Sequence, residues 1–277
     1  MAVVVVTDSS SRLPAGESQK WGIRQVPLHI LVDGVDLGDG VDEIPADIQE
    51  RRATTAGATP VELGAVYEQA LRDSGGDGVV AVHVSAALSS TVASAEQAAR
   101  VLGPAVRVVD SRSAAMGTGF VALAAARAAA AGGGLDSVEA ATRSAVARGH
   151  GYIVVHRLDN LRRSGRIGTA ASWLGTALAL KPLLRIDEDG KLVLAQRVRT
   201  ATKAVAAMVD QVAAIVGDRP AAIAVHHVDN PVAAAELAAT LAVRLPACGP
   251  AIVTELGPVL ALHVGSGAVA VCVDVPD

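Results

Sequence analysis

The sequence predicts an α/β protein of two domains. Residues 1–150 form an N-terminal parallel-sheet α/β/α domain, and residues 151–277 form a C-terminal α+β domain with a mixed or antiparallel sheet. Three observations carry this. Short, continuous, β-branched runs such as Val3-Val4-Val5-Val6 and Val79-Val80-Ala81-Val82 read as strands covered on both faces. Each of these runs ends in a hydroxyl-rich turn and is followed by a helical pattern. After about residue 150 the texture changes, and hairpin signals mix with helices.

Taken in order, the first strand ends in Thr7-Asp8-Ser9-Ser10-Ser11. Ligands gather at the carboxyl ends of strands in open α/β sheets, so a hydroxyl cluster there is informative. Residues 26–32 alternate and lead into a β-hairpin-like excursion with Asp-Gly turns that ends near residue 43. The acidic residues there stand three apart, which is wrong for an EF-hand loop. Residues 44–52 read as helical and 54–60 as a loop. Residues 61–74 follow as an amphipathic helix, capped by Thr59 with Pro60 at its first position and Glu62 at its third.

The stretch from Val79 to Ala95 is the centre of the pattern: a buried strand, a turn carrying Ser85, Ser89, Ser90 and Thr91, and a helix over 93–102. Helix N-termini leave backbone N–H groups without partners and carry partial positive charge, so such a turn suits an anion. Serine and threonine also start ordinary helices, and the stretch alone leaves both readings open.

A third strand, Val106–Asp110, precedes a small-residue helix over 116–131 and a helix Leu135–Arg148 started by Asp136 or Ser137. In the second half a strand over 151–155 leads to a basic loop or short helix over 157–167, then a glycine-containing helix over 169–180. A hairpin across Asp187-Glu188-Asp189-Gly190 follows, then a helix over 200–216, a strand over 221–227, a helix over 231–245, and strands over 251–256 and 269–275.

Composition narrows the function classes. Hydrophobic residues make up 51% and aromatics only 2%, so the core is aliphatic. A net charge of −4 without aromatic–basic interleaving gives no footprint for nucleic acid. Two distant cysteines, Cys248 and Cys272, fit a reducing compartment. The N-terminus lacks the basic flank and length of a signal peptide, and the apolar stretch 120–131 carries Arg127 and is too short to span a bilayer; the expectation is a soluble, cytoplasmic protein. No G-x-S-x-G elbow, dinucleotide-binding fingerprint or P-loop occurs. No His, Cys and carboxylate group has metal-ligand spacing, so no metal and no cofactor are expected. His226 and His227 read as turn-capping residues, while His263, among small residues, is either a core histidine or a functional one.

Six motifs occur in order: Thr7-Asp8-Ser9-Ser10, Leu88-Ser89-Ser90-Thr91, Asp110-Ser111 with Gly117-Thr118-Gly119, Leu161-Arg162-Arg163-Ser164-Gly165-Arg166-Ile167, Lys181-Pro182-Leu183-Leu184, and His263-Val264-Gly265-Ser266-Gly267-Ala268. Through them the whole chain resembles the DegV family of bacterial fatty-acid-binding proteins. The resemblance implies a long-chain fatty acid in a tunnel between the two domains. It implies a binding subunit of a fatty acid kinase in phospholipid metabolism, non-catalytic itself, that presents the acyl carboxylate to a separate kinase catalytic subunit. Membrane contact would be transient only. Carried over by motif, Thr55, Ser89 and His263 hold the carboxylate, and Ser90, Arg166, Gly265 and Gly267 support them. The family's Thr-Ser-Gln-Pro-Ser loop reads Thr55-Ala56-Gly57-Ala58-Thr59 here, its Leu-Ser-Gly-Thr reads Leu88-Ser89-Ser90-Thr91, and its Gly-Pro-Gly reads Gly265-Ser266-Gly267. The residues themselves leave open an autonomous acyl hydrolase or phosphotransferase using Ser89 and His263, and a regulatory binding module.

Overall fold

The structure is a computed structural model that describes residues 2–167 and 181–276; the helix expected over 169–180 lies outside the described residues. Strand β1 (Val4–Asp8) passes through a 3-10 turn (Ser9–Ser11) to α1 (Ala15–Trp21) and β2 (Arg24–Val26). Then come β3 (His29–Val32), β4 (Val35–Gly38), β5 (Ala53–Ala56), α2 (Pro60–Ser74), β6 (Val79–His83), α3 (Thr91–Leu102), β7 (Val106–Asp110), α4 (Met116–Ala130) and α5 (Leu135–Arg148). The later chain adds β8 (Gly149–Val154), α6 (Asp159–Arg163), β9 (Leu183–Ile186), β10 (Leu192–Gln196), α7 (Ala201–Val216), β11 (Ala222–His227), α8 (Pro231–Arg244), β12 (Ile252–Glu255), α9 (Gly257–Val264) and β13 (Val269–Asp274).

The first domain is built on a parallel sheet in the order β2-β1-β6-β7. Alternate strand residues split between its two faces, as the pleat requires. Val5, Val80 and Val82 pack with α4 and α5, whereas Val6, Val79 and Ala81 pack with α2 and α3. The second domain carries a mixed sheet in the order β10-β9-β8-β13-β11-β12, antiparallel except for the β11–β12 pair. One face of it is covered by α7 and α8 through Met208, Val212, Leu237 and Leu241. Ile153, Ala270 and Cys272 on the other face join the cluster that contains α4. Helix α4 therefore lies between the two sheets, and its apolar positions run all round. Gly117 and Gly119 permit this: a Cβ at Gly119 would stand 2.8 Å from the Ser11 carbonyl oxygen, and one at Gly117 would collide with the Ser113 hydroxyl.

Several local expectations change. The hairpin over β3 and β4 forms as expected, turning at Asp33 and Gly34, both at positive φ as its two-residue turn requires. Residues 54–60 are not all loop, because the β-branched pair Thr54-Thr55 adds β5 to the free edge of β3. Residues 44–52 form successive turns closed by bonds to the third residue back, with only Ile48 buried, instead of a helix. Helix α3 starts at Thr91, two residues earlier than expected. Helix α5 has Gly134 at its N-cap, and Ser137 donates back to the Gly134 carbonyl without capping. The capping box of Thr59 and Glu62 is present on α2. His226 does not cap a turn: it is buried inside β11, accepts from the Met116 N–H at the start of α4, and pairs with Thr254. His227 does accept from the Asn230 N–H in the turn that follows.

The carboxyl ends of β1 and β6 are tied by one carboxylate. Asp8 is fully buried and accepts from the N–H and hydroxyl of Ser10, from the Val84 N–H at 2.9 Å and from His83 Nδ1 at 3.0 Å. His83 in turn meets the Tyr67 hydroxyl at 2.6 Å through Nε2. Burial, followed by the Asp8 charge, pushes the Tyr67 phenol well up, so it remains an O–H donor.

Two outcomes follow from these buried groups. Asp8→Ala leaves two backbone N–H groups and a histidine without their acceptor, and should lower the unfolding free energy by about 3 kcal/mol, while Tyr67→Phe should cost about 1 kcal/mol. Urea denaturation measures both, and a cost below about 1 kcal/mol for Asp8→Ala would refute the tie. Burial, then the Arg12 charge, pushes His226 down to about 3, so the unfolded chain, with an ordinary histidine near pH 6.5, binds a proton that the native chain refuses. This contribution is complete above about pH 6.5 and is lost as pH falls towards 3. The calorimetric melting midpoint should fall between pH 6.5 and 5, less steeply in His226→Asn; an equal fall in the variant would contradict the assignment.

Candidate functional site: a cavity between the two sheets

A cavity of about 410 Å³ lies where the carboxyl edge of the parallel sheet meets the α4 face of the mixed sheet. Its floor is a cross-strand row. Cys272 pairs with Gly151 in the β13–β8 ladder, and Gly151 stands beside Ile186 and then Leu192 along β9 and β10. Two residues along the strands, about 7 Å away, Ala270 and Ile153 form the next row. The small side chains at 151, 270 and 272 leave the space, and a Cβ at Gly151 would already stand 3.3 Å from Ile186. Ala114 and Ala115 cover the row from the start of α4, and Leu256, Val259 and Leu260 come from around α9.

Polar side chains gather on part of the wall. Strand β5 carries Thr55, and α9 packs on β5 and β3, bringing His263 to it. Thr55 Oγ1 and His263 Nε2 are 2.8 Å apart. Ser89 and Ser90 precede the first turn of α3; Ser89 Oγ shares a hydrogen bond with Thr91 Oγ1 at 2.8 Å and accepts from the Thr91 N–H at 3.3 Å. The β5 strand is held against this turn by Gly57, where a Cβ would stand 2.7 Å from Thr91 Oγ1 and 3.4 Å from Ser89 Oγ. Arg166 crosses from the segment after α6, donating Nε to the Leu88 carbonyl at 3.1 Å and Nη1 to the Ser164 carbonyl.

Thr55, Ser89, Ser90, Arg166 and His263 thus line one cavity. Gly265 and Gly267 do not line it. Both stand at positive φ in the turn after α9, and a Cβ there would approach the side chains of Asn160 and His156, so they fit α9 and β13 against the 156–160 segment. The pattern reading missed Gly57, Ser10 and the floor residues. Alternating small residues just before and along β13, Ala268, Ala270 and Cys272, were the legible signal for the floor.

The electrostatics favour an anionic guest. Burial, then the Arg166 charge, pushes His263 down to about 4, so the ring is neutral near pH 7. Arg166 has no carboxylate partner among the described residues. His263 Nδ1 is buried without a hydrogen-bond partner among the described residues. Among the described residues no cluster of His, Cys and carboxylates is placed to hold a metal ion, and no helix is long and apolar enough to cross a membrane.

Comparison with known proteins agrees with the fold. A family model described as "Uncharacterised protein, DegV family" matches residues 2–275. A DegV domain-containing protein of Mycobacterium tuberculosis is 70% identical over 275 residues, covering 99% of this chain and 98% of its own. Among solved structures, a DegV family protein from Thermus thermophilus, described by its fatty acid binding, superposes with a TM-score of 0.92 at 33% identity over 100% of both chains. DegV from Bacillus subtilis, described as a fatty acid binding protein, superposes with a TM-score of 0.90 at 25% identity over 100% of both chains. The chain belongs to the DegV family.

Proposed function

We propose that this protein binds a long-chain fatty acid in the cavity between its sheets, with the carboxylate at Thr55, Ser89 and His263. The observation that carries the reading is the wall itself: an aliphatic cavity with one polar cluster, in which Arg166 has no anionic partner among the described residues. The described fatty acid binding of the Thermus and Bacillus relatives supports it. A fatty acid has the matching chemistry. Its tail gains about 0.8 kcal/mol for each CH2 removed from water. Its headgroup is costly to bury unless donors meet it, and the hydroxyls of Thr55 and Ser89 and the charge of Arg166 supply them. Ser90 and the turn at Gly265 and Gly267 support the cluster from its flanks. A neutral His263 suits this role, because it adds a hydrogen-bonding group without titrating near pH 7.

The protein does no chemistry of its own in this account. Ser89 bonds to Thr91 and His263 to Thr55, so the Ser89–His263 contact that an acyl hydrolase would need is not made. The bound carboxylate is presented, in the bacterial cytoplasm, to a separate kinase subunit. A carboxylate oxygen attacks the γ-phosphorus of ATP, the bond to the bridging oxygen breaks, and acyl phosphate and ADP leave. Contact with membrane is transient, for loading and release of lipid.

Calorimetric titration of the delipidated protein with palmitate tests the site. Thr55→Ala and Ser89→Ala should each weaken binding about tenfold, and Arg166→Gln by at least as much. Wild-type affinity in all three would overturn the assignment. With ATP, the protein alone should form no acyl phosphate, and should form it once a kinase subunit is added; turnover of palmitoyl esters or of ATP by the protein alone would refute the carrier role.

A further inference from the structure

A second cleft, of about 690 Å³, opens at the end of the mixed sheet where β8 begins and β9 finishes. Gly151, Tyr152 and Ile186 line both it and the first cavity, so the two share a wall. Four polar side chains in its lining, His150, Tyr152, Arg185 and Gln211, make no hydrogen bond or ion pair among the described residues. Their placement follows from the strands. His150 and Tyr152 alternate on β8 and share a face, Arg185 is the ladder partner of Tyr152, and Gln211 sits on α7 three residues after Met208, which packs in the same apolar cluster as Tyr152.

Tyr152 is 6% exposed, and its hydroxyl, open to the cleft, has no hydrogen-bond partner among the described residues. The lining carries three arginines, Arg112, Arg143 and Arg185, and three acids, Asp110, Asp187 and Glu188. Burial and then the charges of Arg219 and Arg185 push His150 down, and only Asp274 opposes them. Of the acids in the lining, Asp110 is engaged by the Ala86 and Arg112 N–H groups and Asp187 by those of Asp189 and Lys191, while Glu188 is exposed. Arg143 is already paired with Glu139. Among the described residues, Arg112 and Arg185 are the arginines of the lining without a carboxylate partner, and Arg112 donates to the Glu188 carbonyl.

We propose that this cleft is a phosphate-binding site for a small phosphorylated molecule, held at its phosphate by Arg185, Tyr152 and Gln211. A guanidinium engages two oxygens of an anion side by side, leaving the phenol and the amide to meet a further oxygen. A phosphate monoester has a third oxygen for them. Val121, Val146 and Ile215 give the rest of the molecule an apolar wall. This site is independent of the fatty acid reading.

The test is calorimetric titration of the full chain with inorganic phosphate and with pyrophosphate, and with citrate as a carboxylate control. Saturable binding of phosphate or pyrophosphate is expected, about tenfold weaker in Arg185→Gln and about fivefold weaker in Tyr152→Phe. Arg185 is exposed on its strand, so that variant carries the test even if Tyr152→Phe folds poorly. Absence of saturable binding, equal affinity in Arg185→Gln, or citrate binding as tightly as pyrophosphate would each overturn the proposal.

Discussion

The buried carboxylate of Asp8 is the constraint on which the architecture of the cavity rests. A parallel sheet offers its ligands only the loops at its carboxyl edge, and here the two loops that matter leave from β1 and β6. Asp8 takes donors from both, Ser10 on one side and Val84 and His83 on the other. Ser10, Val84, Leu88 and Ser89, all in the cavity wall, hang from that junction. The burial cost of a carboxylate is met because Ser10, His83 and the Val84 N–H donate to it and Tyr67 closes the chain through His83.

The second constraint is the placement of small residues. A deep aliphatic cavity is unstable against collapse unless the backbone around it is pinned. Helix α4 keeps the sheets apart, because Gly117 and Gly119 bring it close to the Ser9–Ser11 and Ser113 turns. Gly151, Ala270 and Cys272 then leave a void between α4 and the mixed sheet, where larger residues would have filled it. The polar cluster stands where three separately anchored pieces meet: β5 through its ladder with β3, the start of α3 through Gly57, and α9 through its packing on β5. Arg166 stitches a fourth piece to them at the Leu88 carbonyl.

Much of this is legible in the residues, and the failures have physical causes. The β-branched runs and the capping box at Thr59 name their elements, because local sterics and hydrogen bonds decide them. Thr55 becomes a candidate only through its motif; its strand was not legible, since a four-residue edge strand owes its existence to the free edge of β3. The segment 44–52 carries a helical pattern, but with one buried apolar residue it had no face to pack. His226 looked like part of a turn because Asp229-Asn230-Pro231 follows it, whereas a distant N–H on α4 determines its place. The Asp8–His83–Tyr67 chain was invisible for the same reason: its members come from three elements far apart in sequence.

The central claim is that the acyl carboxylate sits at the Thr55–Ser89–His263 cluster with the tail over the Gly151–Cys272 floor. A crystal structure of the protein with the fatty acid it retains through purification tests this most directly. The account predicts a carboxylate oxygen within hydrogen-bond distance of the Thr55 and Ser89 hydroxyls and continuous tail density along Ile153 and Cys272. A fatty acid bound with its carboxylate at the floor, or bound outside this cavity, would contradict it.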